Sequence, residues 1–252
     1  MRLHSVVACG WLGLCFITGI AFGQEWGTLK GRFSCSEKPP ARAKLVNRFG
    51  LAVPDVRFIV GPDSGIANIV VWLRTKDVPV SPAFRDSNQT AATLNCKGDV
   101  FEPHVLVLQV QQKLQLKNTG PDTQTVSIDL VMNKPLLQIL RGFKEFSAIM
   151  DVAEAKPEKV TVAIDPTMSA WLLVSPNPYF AVSDTEGNFE IKNLPAGVPL
   201  EFVVWHEIPG LITGANLDGE ATTWPNGRFK IELKPGENDL GKITLGLQQF
   251  AK

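Results

Sequence analysis

Turn sequences recur through this chain at intervals too short for anything but brief extended segments. After Pro178 it reads Tyr179–Ser183, the turn Asp184-Thr185-Glu186-Gly187-Asn188, Phe189–Lys192, Asn193-Leu194-Pro195-Ala196-Gly197 and Leu200–His206. Trp224-Pro225-Asn226-Gly227 and Lys234-Pro235-Gly236 keep up that interval before a last strand, Asp239–Leu245. Gly187 and Gly197 supply the positive φ that tight turns need. Short strands punctuated in this way predict an all-β chain, one sandwich or a pair of them.

The earlier part carries the same signal. Thr28–Cys35 alternates Leu29, Gly31 and Phe33, and the run ends at Glu37-Lys38-Pro39-Pro40. Ile66–Leu73 (IANIVVWL) is apolar at almost every position, the pattern of a strand covered on both faces. Lys76–Asn95 is polar and reads as an exposed loop. His104–Val110, Lys113–Asn118, Thr123–Val131 and Lys159–Ile164 read as strands. Lys134–Val152 is ambiguous: Leu136, Leu137, Leu140, Phe143 and Phe146 have helical spacing, so a short helix or an irregular crossover fits.

Residues 1–23 have the form of a secretory signal: Arg2, the apolar run Val6–Ala21, and Ala21-Phe22-Gly23 before Gln24. They predict a periplasmic or secreted protein with no membrane span after cleavage. The 25 basic residues of the chain include Arg2, so 24 face 25 acidic ones after the signal. A near-neutral chain without basic runs argues against nucleic acid. Cys9 and Cys15 leave with the signal. The remaining pair, Cys35 and Cys96, fits a disulfide in an exported protein and equally fits two separate buried thiols.

Two stretches carry a family resemblance. FEPHVLVLQVQQKLQLKNTGPDTQTVSI from Phe101, with VTVAIDPTMSAWLLVSPNP from Val160, resembles exported bacterial cupredoxin-like proteins, a group sometimes labelled methylamine-utilisation proteins. Phe180–Trp205, with Ser183-Asp184-Thr185-Glu186-Gly187-Asn188-Phe189 and Leu194-Pro195-Ala196-Gly197, resembles the carboxypeptidase-regulatory, transthyretin-like module. The resemblance implies a Greek-key cupredoxin-like β-sandwich followed by a smaller transthyretin-like one. It divides the chain into signal 1–23, cupredoxin-like 24–175 and transthyretin-like 176–252, although Leu29–Leu73 could supply strands to either sandwich.

The same resemblance implies a blue-copper site of two His, one Cys and an axial Met, a soft donor set suited to copper. Here the four matching positions read Gln124, Val162, Asp165 and Met168. Val162 cannot ligate, Asp165 offers hard oxygen, and after the signal only His104 and His206 remain as imidazoles. No cofactor is therefore expected, copper included. Met168 beside Trp171 reads as a core residue, His104 as a hydrogen-bonded structural His, and His206-Glu207 as a polar pair at a sandwich edge.

No nucleophile, metalloprotease or phosphate-loop motif is present. The leading expectation is a non-catalytic binding or scaffold protein with a protein or glycan partner, anchored by exposed aromatics; Trp224 and Tyr179 fit that role and fit the core equally. Two rivals stand beside it. One is a copper carrier or store on an atypical site of His104, Met168, Asp165 and His206. The other is a hydrolase using Asp184 and Glu207.

Overall fold

A computed structural model describes residues 24–37, 44–47, 49–53, 55–163 and 165–251. The signal sequence, the Pro39-Pro40 break and Ile164 lie outside the described residues. Among those described, regular structure is strand plus short 3-10 turns. The opening segment gives β1 (Trp26–Cys35), β2 (Leu45–Val46), β3 (Ala52–Val53) and β4 (Val70–Leu73). The middle gives β5 (Ala92–Lys97), β6 (Val100–Glu102), β7 (Val105–Gln109), β8 (Lys113–Asn118), β9 (Gln124–Ile128), β10 (Leu136–Leu140), β11 (Glu145–Ile149), β12 (Glu158–Val162) and β13 (Asp165–Ser175). The last third gives β14 (Phe180–Val182), β15 (Asn188–Pro195), β16 (Pro199–His206), β17 (Gly210–Leu211), β18 (Gly214–Leu217), β19 (Glu220–Thr223), β20 (Arg228–Glu232) and β21 (Gly236–Leu245).

These strands build two sandwiches. In the first, a sheet ordered β15-β1-β21-β18-β19 faces one ordered β14-β4-β16-β17, with β20 also on β16. Alternation on β1 sends Leu29 and Phe33 inward, where they meet Ile191, Ile243, Leu245, Val71 and Leu73. The second sandwich comes wholly from the middle of the chain. Its sheets run β10-β9-β12-β13-β7 and β11-β8-β5-β6, and the pairs β7/β13 and β5/β8 are parallel. Leu94, Leu108, Leu114, Leu116, Val126, Ile128, Val160 and Leu172 fill its core. Each fully buried aliphatic of this size contributes about 1.5–3 kcal/mol.

A third apolar layer joins the two. Val105, Val107 and Leu173 on the outer face of β7 and β13 pack against Val70, Trp72, Val203 and Trp205 on the outer face of β4 and β16. This layer explains the two strands without polar alternation. On β4, Val71 and Leu73 enter the first core while Val70 and Trp72 enter the seam. On β13, Leu172 and Val174 enter the second core while Leu173 enters the seam.

The strand pairing does not follow a division at Ser175. β1 lies between β15 and β21, and β4 between β14 and β16, so the opening segment completes the sandwich of the last third and the middle is inserted between them. Which sheet an apolar strand joins is a long-range choice that local alternation does not encode. The helix weighed for Lys134–Val152 is absent: the segment forms β10 and β11, and Phe143 stands at φ 59 in the reversal between them. Trp224 and Tyr179 are core residues, so neither is an exposed anchor. Tyr179 donates its hydroxyl to the Pro79 carbonyl at 2.9 Å and accepts the Ser81 N–H at 2.9 Å. Cys35 and Cys96 are free thiols in separate cores, not a disulfide.

Candidate functional site

The polar chemistry of the seam centres on Glu207, the residue after β16. His104 precedes β7, and the parallel β7/β13 register sets Trp171 opposite Val105, one residue further on. The Trp171 N–H bonds to the His104 carbonyl at 2.9 Å, which holds the two backbones side by side. The chain leaving β16 brings Glu207 over both. One carboxylate oxygen is hydrogen-bonded to His104 Nε2, and the other accepts Trp171 Nε1–H at 3.0 Å. The Glu207 side chain is 6% exposed and that of His104 8%.

Arg57 and Asp55 stand nearby. Arg57 donates to Asp55 through Nε at 2.8 Å and Nη2 at 2.7 Å. These hydrogen bonds raise the Arg57 pKa, burial opposes them, and the charges of Asp55 and then Glu207 raise it further. Trp171 meets Trp205 edge-on, with ring centroids 5.0 Å apart.

Chemically, this arrangement orients. A carboxylate holding two donors is occupied, and neither ring nitrogen of His104 is hydrogen-bonded to a hydroxyl or thiol, as a nucleophile–base pair would require. His104 Nδ1 is buried and without a hydrogen-bond partner among the described residues.

The other donors are scattered. His206 is fully buried in the first sandwich, its ring edge-on to Phe58 and Phe250 at 5.9 and 5.2 Å, with Nδ1 accepting the Ile208 N–H at 3.3 Å. Asp184 caps its own turn, accepting the N–H groups of Glu186 and Asn188 at 2.9 and 2.8 Å. Glu207 and Asp184 thus serve separate local structures.

The four positions matched to copper ligands lie around one end of the second core. Val162 pairs with Val126 on β9, Gln124 is two residues along on the same face, and Asp165 pairs with Val162 from β13. Val162 and Met168 are each 2% exposed and belong to the apolar core. Asp165 turns its carboxylate onto Thr167, accepting the backbone N–H at 3.0 Å and the hydroxyl at 2.6 Å. Among the described residues no three His, Cys, Asp or Glu side chains group as a metal site.

The His104–Glu207–Trp171 trio is not legible in the sequence. His104 and Trp171 lie 103 and 36 residues from Glu207, and no local spacing announces the contact.

No protein-family model and no curated protein matches the chain. Among solved structures, it is similar to a novel purple cupredoxin from Nitrosopumilus maritimus, at 14% identity and TM-score 0.28, over 33% of this chain and 99% of that one. An oxidized proline-to-glycine mutant of amicyanin gives 11% identity and TM-score 0.31, over 42% and 98%. A Cu-containing nitrite reductase from Thermus scotoductus SA-01 gives 15% identity and TM-score 0.31, over 41% of this chain and only a quarter, 25%, of that one. Likeness at this level assigns no function.

Proposed function

We propose that this chain is a non-catalytic, exported binding or scaffold protein: a cupredoxin-like sandwich that has given up its copper site, held rigidly against a transthyretin-like one. The observation that carries the reading is the fate of the ligand positions. Val162 and Met168 serve as core side chains, and Asp165 is spent on capping Thr167. A β-sandwich relieved of a metal keeps its end loops and faces as recognition surfaces. A cleft of about 810 Å³ on the first sandwich, lined by Lys30, Arg32, Asp184, Glu190 and Lys242 among others, offers charged groups to a protein or glycan partner. Residues 1–23 support export to the periplasm or beyond. Among the described residues, no helix is long and apolar enough to cross a membrane.

The atypical copper site loses its support. His104 is engaged in the seam, Met168 in the second core, Asp165 at its turn and His206 among rings of the first core. Equilibrium dialysis of the protein from Gln24 against Cu(II), followed by metal analysis, tests the proposal. Retention well below one copper per chain supports it, and stoichiometric retention overturns it.

A further inference from the structure

Sheet edges are where the fold leaves backbone donors and acceptors unpaired, and a protein that stays single usually places charge there. The edge strands here mostly do so: β15 turns out Glu190 and Lys192, β20 Lys230, β11 Glu145 and β19 Glu220. β10 does not. It is the terminal strand of its sheet, and its outward side chains are Leu137, 71% exposed, and Ile139, 63% exposed.

The sequence of this edge, Leu136-Leu137-Gln138-Ile139-Leu140, reads almost the same in both directions about Gln138. In an isologous antiparallel pair with its axis at 138, each residue i faces 276 − i on the other copy, and this near-symmetric sequence then sets like beside like. Leu137 meets Ile139, Leu136 meets Leu140, and Gln138 meets itself. On the outer face the four aliphatic side chains form one block, and cross-strand apolar pairs of this kind stabilise sheets.

Charge agrees with the same register. β9 pairs with β10 up to Leu136 and Ile128, and one further step of that register would set Asp129 beside Pro135. In the paired edges, Arg141 of the second copy lies on the far side of that small proline, on the same face as Asp129. Its guanidinium would then reach across to the carboxylate, and the two-fold would repeat the contact. Within one copy Arg141 makes no ion pair among the described residues. Lys134 falls opposite Gly142, so no like charges face each other.

We infer that the occupant of the β10 edge is a second copy of this chain, giving a two-fold dimer with one sheet running through both copies in the order β9-β10-β10-β9. The inference is independent of the copper positions and adds an assembly to the proposed scaffold. Sedimentation velocity of the protein from Gln24 to Lys252, which spans every described residue, tests it across a concentration series. A concentration-dependent dimer is expected. Leu137→Lys with Ile139→Lys, two exposed sites that leave the core untouched, should weaken it roughly a hundredfold or more.

Gln138→Cys should give a covalent dimer under mild oxidation, because residue 138 sits on the axis. Ile149→Cys on the neighbouring edge, 47% exposed, should not. A wild-type protein that stays monomeric at its highest attainable concentration overturns the inference. So does a dimer that survives the double lysine variant, or equal cross-linking at 138 and 149.

Discussion

His104 and Glu207 meet as a buried hydrogen-bonded pair although 103 residues separate them, and Trp171 donates to the same carboxylate from between. His104 and Trp171 belong to the inserted sandwich and Glu207 to the sandwich that encloses it in sequence. The trio therefore sets how two apolar sheet faces lie on one another, a choice that the packing of Val105, Leu173, Val203 and Trp205 leaves without direction.

Removing the carboxylate strands two buried donors. Glu207→Ala should lower unfolding free energy by about 2–4 kcal/mol, and Glu207→Gln by less, since an amide oxygen still accepts one bond. Urea denaturation followed by tryptophan fluorescence reads this, because Trp171 and Trp205 report on the seam. A loss under about 0.5 kcal/mol, within the range of ordinary surface changes, would mean that the trio holds nothing together.

Acid should act through Glu154. Burial raises the pKa of this carboxyl, but hydrogen bonds from the Asn133 side chain and from the N–H groups of Met132, Asn133 and Val131 together bring it below the ordinary value. A depressed folded-state pKa gives stability that is present above the unfolded value of about 4.3 and fades as pH falls through the folded one. Glu154→Gln should therefore be less stable than wild type at pH about 7, and the gap should close as pH falls below about 4.3. A constant gap across that range would assign the effect to packing.

The two thiols give a direct chemical readout. Burial pushes the Cys35 thiol up to about 11 and the Cys96 thiol up to about 12, so neither carries much thiolate at neutral pH. A thiol-reactive dye should label neither in the folded protein from Gln24 onward and both once it is unfolded without reductant. Failure to label after unfolding would mean a disulfide, and with it a different placement of β1 and β5.

Two glycines of similar φ separate strain from crowding. At Gly187, φ 85, a Cβ would stand 2.0 Å from the Phe33 carbonyl oxygen, whereas at Gly98, φ 61, nothing lies within 4 Å. Gly187→Ala should cost about 3 kcal/mol or more, because the Asp184–Asn188 turn is seated against β1, and Gly98→Ala about 1 kcal/mol. Thermal melts of the pair check this, and equal losses would dissociate the turn from the opening strand.

Much of the fold was legible because its signals are local. Alternation placed β1, β9 and β12, the unbroken apolar run placed β4 between two cores, and Asp184 with Gly187 announced their hairpin. Met168 read as core and is core. What escaped depends on distant partners. Leu136, Leu140 and Phe143 keep helical spacing, but the reversal at Gly142 tucks under Pro121, whose carbonyl oxygen a Cβ there would meet at 2.1 Å, and so the segment becomes two edge strands. Trp224 and Tyr179 fit a surface anchor and a core residue equally from sequence. Burial decides for the core, and nothing near them in sequence encodes it.

We propose that Gln124, Val162, Asp165 and Met168, the positions matched to copper ligands, hold no copper in this protein. The most direct test installs the ligand set that the resemblance implies: Gln124→His, Val162→Cys and Asp165→His together, with Met168 kept, compared with wild type by visible absorption during Cu(II) titration. A thiolate-to-copper charge-transfer band is expected in the variant and none in wild type. A wild-type protein that develops that band at one equivalent of copper would contradict it.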